Sequence, residues 1–157
     1  MIGVDRWQSL QQSKSIKRGY NMLRNKIYAG FLSLLMFGIS NAALAEEHIV
    51  NAKVTAFDPI AIKIAPGDSV SWKNMSGHNV HFEEGNIPES AESYVSPLGD
   101  NVSRTFDEEG VYLYKCDPHF AMGMVGAIIV GEPVNMADVE ANAKGMYKRA
   151  LIKAKKL

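Results

Sequence analysis

The sequence predicts an all-β sandwich or barrel followed by two short helices. Apolar and polar side chains alternate with a period of two through its middle. Its apolar segments are short and separated by Gly, Pro, Asp and Asn. Helical spacing begins only after Pro133. Ile60, Ile62 and Ile64 alternate with Ala61, Lys63 and Ala65, and Val70 and Trp72 alternate with Ser69, Ser71 and Lys73. Pro66-Gly67-Asp68 lies between them as a turn signal, so two half-buried strands around a tight reversal are expected. Further strands are expected over 50–57, 79–83, 102–106, 111–115 and 126–130. The segment 84–100 has no sustained period and reads as loop, with at most a helical turn. Met136, Val139 and Ala143 are spaced for a short helix that Gly145 could end. Residues 146–157 suit a second helix with Ala150, Leu151 and Ala154 inward. Its late bases Lys148, Arg149, Lys153, Lys155 and Lys156 complement the helix dipole and read as a solvated face rather than a docking tail. No internal repeat or low-complexity tract interrupts the chain.

A chain of 157 residues, 46% apolar and 22% charged, has the composition of one ordinary globular domain, which argues against a long disordered tail or a multi-domain enzyme. One cysteine excludes an internal disulfide framework and a Cys-rich zinc finger. The formal net charge of zero hides a split. Six bases and one acid fall in residues 1–45, and eleven bases and sixteen acids fall in 46–157, giving +5 and −5. Residues 27–40 form an uncharged, mostly apolar run, shorter than the ~20 residues a membrane-spanning helix needs. Bases precede it and Ala43-Leu44-Ala45 follows it, the order of a secretory signal peptide over 1–45. An uncleaved anchor is the alternative. The basic region is long, and Met22 followed by Leu-Arg-Asn-Lys would open a leader of usual length, so 1–21 read as lying before the true start. Residues 46–157 are then the working domain, outside the cytoplasm and without stable membrane association. Their negative balance argues against nucleic acid as a partner.

The chemistry gathers at the end of one expected strand. Cys116 follows Val111-Tyr112-Leu113-Tyr114-Lys115 and by parity shares a core-facing side with Tyr112 and Tyr114. His119 comes three residues later, Met122 and Met124 six and eight later, and His78 stands upstream in Gly77-His78-Asn79-Val80. Two imidazoles, a thiolate and a thioether make the His₂Cys set with a weak axial Met that holds copper for electron transfer. Soft sulfur favours Cu(I) and imidazole serves both oxidation states, so the site rearranges little when an electron moves. A lone Cys is often a small buried hydrophobe, but a spare thiol in an exported protein needs a reason. Asn79, beside His78, could hydrogen-bond across to the Cys116 loop and so fix ligand orientation. His81 points away from His78 and reads as structural or exposed, and His48 reads as exposed. Met75, Met136 and Met146 read as packing or surface.

Gly77-His78-Asn79-Val80, Gly85-x-Ile87-Pro88-x-x-Ala91-Glu92, Gly110-Val111-Tyr112 and Lys115-Cys116-x-Pro118-His119-x-x-Met122-Gly123-Met124-Val125-Gly126 together resemble the pseudoazurins, bacterial periplasmic blue-copper proteins of the cupredoxin family. The resemblance covers nearly all of 46–157. It implies a Greek-key β-sandwich of about eight strands with two C-terminal helices, one copper ion, and transfer of single electrons to periplasmic reductases such as nitrite reductase, with a cytochrome c or similar donor. It implies the ligands His78, Cys116, His119 and Met124. Gly77-His78-Asn79-Val80-His81-Phe82 is also close to a phrase of the amicyanins, whose shorter loop would select Met122. The Met-Gly-Met-Val-Gly stretch and helical tail favour Met124. Pseudoazurins surround the exposed ligand edge with lysines. Lys115 fits, whereas Ser76 and Val95 stand where others are expected and Glu83, Glu84 and Asp117 lie near, so the docking face is expected to be less basic.

The expectation is therefore a monomeric one-electron shuttle, not an enzyme, with the edge of His119 as electron port inside an apolar patch that includes Pro118 and Met122. A periplasmic copper carrier without redox duty is the alternative. A Cys-His hydrolase built on Cys116, His119 and Asn79 leaves His78 and both loop methionines without a role. Four histidines are too few for the additional centres of a multicopper oxidase.

Overall fold

A computed structural model describes residues 44–157. The expected leader, including the Met22 start, lies outside the described residues except for its last two. Among the described residues nine strands form two sheets: β1 (Glu47–Ala52), β2 (Phe57–Asp58), β3 (Ala61–Ile64), β4 (Ser69–Lys73), β5 (His81–Phe82), β6 (Tyr94–Val95), β7 (Val102–Thr105), β8 (Gly110–Lys115) and β9 (Val125–Val130). A 3₁₀ helix (Asp117–Met122) joins β8 to β9, and α1 (Met136–Asn142) and α2 (Tyr147–Ala154) close the chain. One sheet has the order β2-β1-β4-β7 and the other β3-β9-β8-β5-β6.

The expected β-sandwich with two terminal helices is present, and several boundaries differ. The segment 50–57 is two strands. The Lys53 amide donates to the Ala56 carbonyl (2.8 Å), the chain reverses, and β2 pairs antiparallel with β1. Only His81–Phe82 of 79–83 enters a ladder, and 84–100 contains β6 and no helix. Gly145 adopts φ +57° in the link between the helices rather than directly ending the first, whose cap is Ala143.

The reversal at Pro66-Gly67-Asp68 is not a hairpin. Strand β3 runs parallel to β9 in one sheet, while β4 lies between β1 and β7 in the other. The turn is a corner between sheets, and hydrogen bonds to distant backbone hold it there. Gly67 N–H donates to the Phe106 carbonyl (2.8 Å) and Phe106 N–H to that of Asp68 (2.9 Å). The Asp68 carboxylate accepts from the amides of Glu46 (2.8 Å) and Ala65 (2.9 Å). His48 is therefore not the exposed residue expected, because its Nε2 lies 2.9 Å from Asp68 Oδ2.

Two hydrophobic layers follow from strand parity. Tyr112, Tyr114 and Cys116 of the β8 face join Trp72, Phe82, Met75, Ile128 and Met124 between the sheets. Val111 and Leu113 point the other way, with Val125, Ala127 and Ile129, under Val139, Ala143, Tyr147, Ala150, Leu151 and Ala154 of the helical segment. Full burial of each Val, Leu or Ile side chain here contributes about 1.5–3 kcal/mol. Trp72 anchors the inner layer with its ring 5.5 Å from Tyr114 and 6.0 Å from Phe82, both edge-on. Gly126 lets this packing close. A Cβ there would meet the Tyr114 ring at 2.1 Å. The adjoining ends of β8, β5 and β9 thus project a loop cluster from a rigid frame.

Candidate metal centre

Cys116 continues β8 in extended conformation, and Pro118, second in the 3₁₀ turn, stiffens its start with a fixed φ. The turn carries His119 back over the cysteine, with the His119 amide donating to the Cys116 carbonyl (3.2 Å). Gly123 then takes φ +85°, a left-handed conformation that glycine adopts without strain, and its amide donates to the Phe120 carbonyl (2.9 Å). This reverses the chain so that Met124 lies beside its start. Cys116 N–H donates to the Met124 carbonyl (3.0 Å) and Met124 N–H to that of His119 (3.2 Å). His78 arrives from the loop before β5, its amide donating to the Met75 carbonyl (2.8 Å) and its carbonyl accepting from Gly99 N–H (2.9 Å).

These turns bring three donors together. Cys116 Sγ is 3.4 Å from His119 Nδ1 and 3.7 Å from His78 Nδ1. One donor atom from each of the three residues falls within 4.8 Å of the others, and the imidazole centroids are 4.7 Å apart. Ligand bonds of about 2.0–2.3 Å around a trigonal ion separate the donors by ~3.5–3.8 Å, so the cluster fits a metal of that coordination. Cys116 and Met124 are fully buried, His78 is buried and His119 is partly exposed. Burial, then repulsion from His119, pushes the His78 imidazolium down, favouring the neutral ring that metal binding requires. Met122, the other candidate sulfur, is 55% exposed on the surface of the loop, whereas Met124 is in the core with Cys116.

Asn79 joins the segments that carry His78 and Cys116. Its Nδ2 donates to Asp117 Oδ2 (2.7 Å) and its Oδ1 accepts the Asp117 amide (2.8 Å). Sequence reasoning missed what lies behind this pair. His81 Nδ1 is 2.9 Å from Asp117 Oδ1, and Lys115 Nζ reaches Glu83 Oε1 and lies 3.4 Å from Asp117 Oδ1. Tyr147 O–H donates to Glu83 Oε2 (2.7 Å). Burial alone would push the Asp117 and Glu83 carboxyls up. Hydrogen bonds from Asn79 and His81, and from Lys115 and Tyr147, outweigh it and hold both below their ordinary values. Lys115 is therefore not a free member of a basic rim, since its ammonium is neutralised where it stands. The signal for this network is strand register. His81 faces Lys115 across β5 and β8, and Asp117 stands two residues beyond Lys115.

Residues 45–131 match the family of copper binding proteins of the plastocyanin/azurin type. The chain belongs to this family. It is a cupredoxin, an electron carrier rather than an enzyme, and its cofactor is copper. It is 33% identical over 134 residues to the pseudoazurin of Paracoccus pantotrophus, an alignment covering 82% of this chain and 92% of that protein. To the pseudoazurin of Methylorubrum extorquens it is 40% identical over 77 residues, covering 48% of this chain and 52% of that one. The crystal structure of pseudoazurin from Methylobacterium extorquens AM1 superposes with a TM-score of 0.64 at 31% identity, over 70% of this chain and 98% of that one. This cupredoxin is thus a blue-copper electron-transfer protein whose relatives include pseudoazurins.

Proposed function

We propose that His78, Cys116 and His119 hold one copper ion with Met124 as the weak axial donor, and that the protein shuttles single electrons in the periplasm to a reductase such as nitrite reductase. The convergence of two imidazole Nδ1 atoms on a fully buried cysteine sulfur carries this reading. Copper in such a set alternates between Cu(I) and Cu(II) and so supplies one-electron chemistry. The protein residues keep the set fixed. Cys116 and Met124 are tied by a backbone hydrogen bond, Asn79 holds the His78 and Cys116 segments in register, and the aromatic core beneath them excludes water.

His119 is the port, since it is partly exposed between Pro118, Ala121 and Met122, all open to solvent. A small apolar contact of this kind suits brief docking, with an interface below ~1,200 Å². Residues 1–45 are the cleaved leader, 46–157 the working domain, and the working form is a monomer. The visible spectrum of the copper-loaded chain tests the reading. An intense sulfur-to-copper absorption is expected in the oxidised protein and is expected to vanish in Cys116→Ala. A chain that binds no copper, or binds it without colour, overturns it.

A further inference from the structure

The helix α2 packs against the outer face of the β3-β9-β8 side of its sheet, and that packing explains its buried stripe of Tyr147, Ala150, Leu151 and Ala154. It does not explain why the first turn of α2, with the preceding Met146, also meets the loop between Cys116 and Met124, at three places. The Phe120 ring lies 5.2 Å from that of Tyr147. Arg149 Nη1 reaches the Gly123 carbonyl at 3.4 Å, and a Cβ on Gly123 would meet Met146 Sδ at 3.6 Å. The third contact is indirect. The Tyr147 hydroxyl holds Glu83, Glu83 holds the Lys115 ammonium, and that ammonium lies against Asp117 and 5.2 Å above the Phe120 ring.

Tyr147 therefore grips the loop twice, through its ring at Phe120 and through its hydroxyl by way of Glu83 and Lys115 at Asp117. Asp117 is the residue whose amide and carboxylate fasten Asn79 to the segment that begins at Cys116. From this closed circuit we infer that Tyr147 is a positioning residue for the metal-bearing loop, acting through Glu83, Lys115 and Asp117 on the placement of Cys116. The inference rests on the copper reading above. The helix is then part of the device that keeps the site rigid during electron transfer, in addition to covering the sheet.

The test uses the full chain, first with copper and then without. Tyr147→Phe keeps the ring and removes the hydroxyl. In the loaded protein the sulfur-to-copper band and the reduction potential are expected to shift. In the metal-free protein, amide exchange at Asp117 is expected to quicken about fivefold, the factor for one net hydrogen bond. Glu83→Leu is expected to reproduce both changes and Glu83→Gln, which keeps an acceptor, to lessen them. The double variant Tyr147→Phe/Glu83→Leu should then add nothing to Glu83→Leu alone, because the hydroxyl acts only through Glu83. Unchanged spectrum, potential and loop exchange in Tyr147→Phe, or additive effects in the double variant, would overturn the inference and leave α2 as a cover. If the unsubstituted chain takes up no copper, the ligand assignment fails by itself. The exchange measurement still decides whether Tyr147 holds the loop.

Discussion

Met122 and Met124 are chemically identical and two residues apart, yet one is 55% exposed and the other fully buried beside Cys116. That difference is set by Gly123, which turns the chain between them. Met124→Leu is expected to change the visible spectrum of the copper-loaded protein, whereas Met122→Leu should leave the spectrum at its original position. A shift only in Met122→Leu would transfer the axial role. At the opposite pole, Asp68 is held at about 2, below the ordinary 3.8, by the Glu46 amide first, then His48 and the Ala65 amide. A carboxyl depressed on folding stabilises the fold above its unfolded value. That contribution is fully present above about pH 4 and is lost as the pH falls through about 2. Asp68→Asn is therefore expected to lower the urea midpoint at pH 6, with the gap to the original protein closing by about pH 2. A gap independent of pH would remove Asp68 from the acid response.

Each strand of the five-stranded sheet has its own demand on side chains. Strand β8 is buried on both faces, inward by Tyr112 and Tyr114 and outward by Val111 and Leu113. Its neighbour β9 can approach only because Gly126 has no side chain opposite the Tyr114 ring. In Gly126→Ala the added methyl displaces that ring, at a cost of about 1–3 kcal/mol for overpacking a tight core. A reduced urea midpoint with an unchanged denaturant slope is the expected reading. Equal midpoints would mean the sheet opens there at no cost. Sequence parity found the inward side of β8 and the inward residues of α2, because period two and period 3.6 are local properties. It did not give the partner of β3, since a turn signal does not say which sheet the next strand joins. Here Asp68 and Phe106, distant in sequence, stitch the turn into a corner.

At the scale of the molecule, charge and docking are coupled through which ions are already paired. Lys115 is engaged by Glu83 and Asp117, and the basic group of α2 that reaches the loop is Arg149, at the Gly123 carbonyl. If charge steers encounter with an acidic redox partner, electron transfer to that partner is expected to slow as the Debye length shrinks from about 30 to about 8 Å between 0.01 and 0.15 M ionic strength. Stopped-flow rates at several salt concentrations check this. Salt-independent rates would remove steering while leaving the copper site untouched.

Residue type and spacing alone determined which donor types to expect, the β class and the helical tail, because thiolate, imidazole and thioether carry their metal preference wherever they lie and periodicity is written along the chain. The three-dimensional packing decided which sheet each strand joined, which methionine was buried and that Lys115 was already paired. Those outcomes depend on groups far apart in sequence, such as His81 with Asp117 and Tyr147 with Glu83, that meet only once both sheets and the last helix are in place.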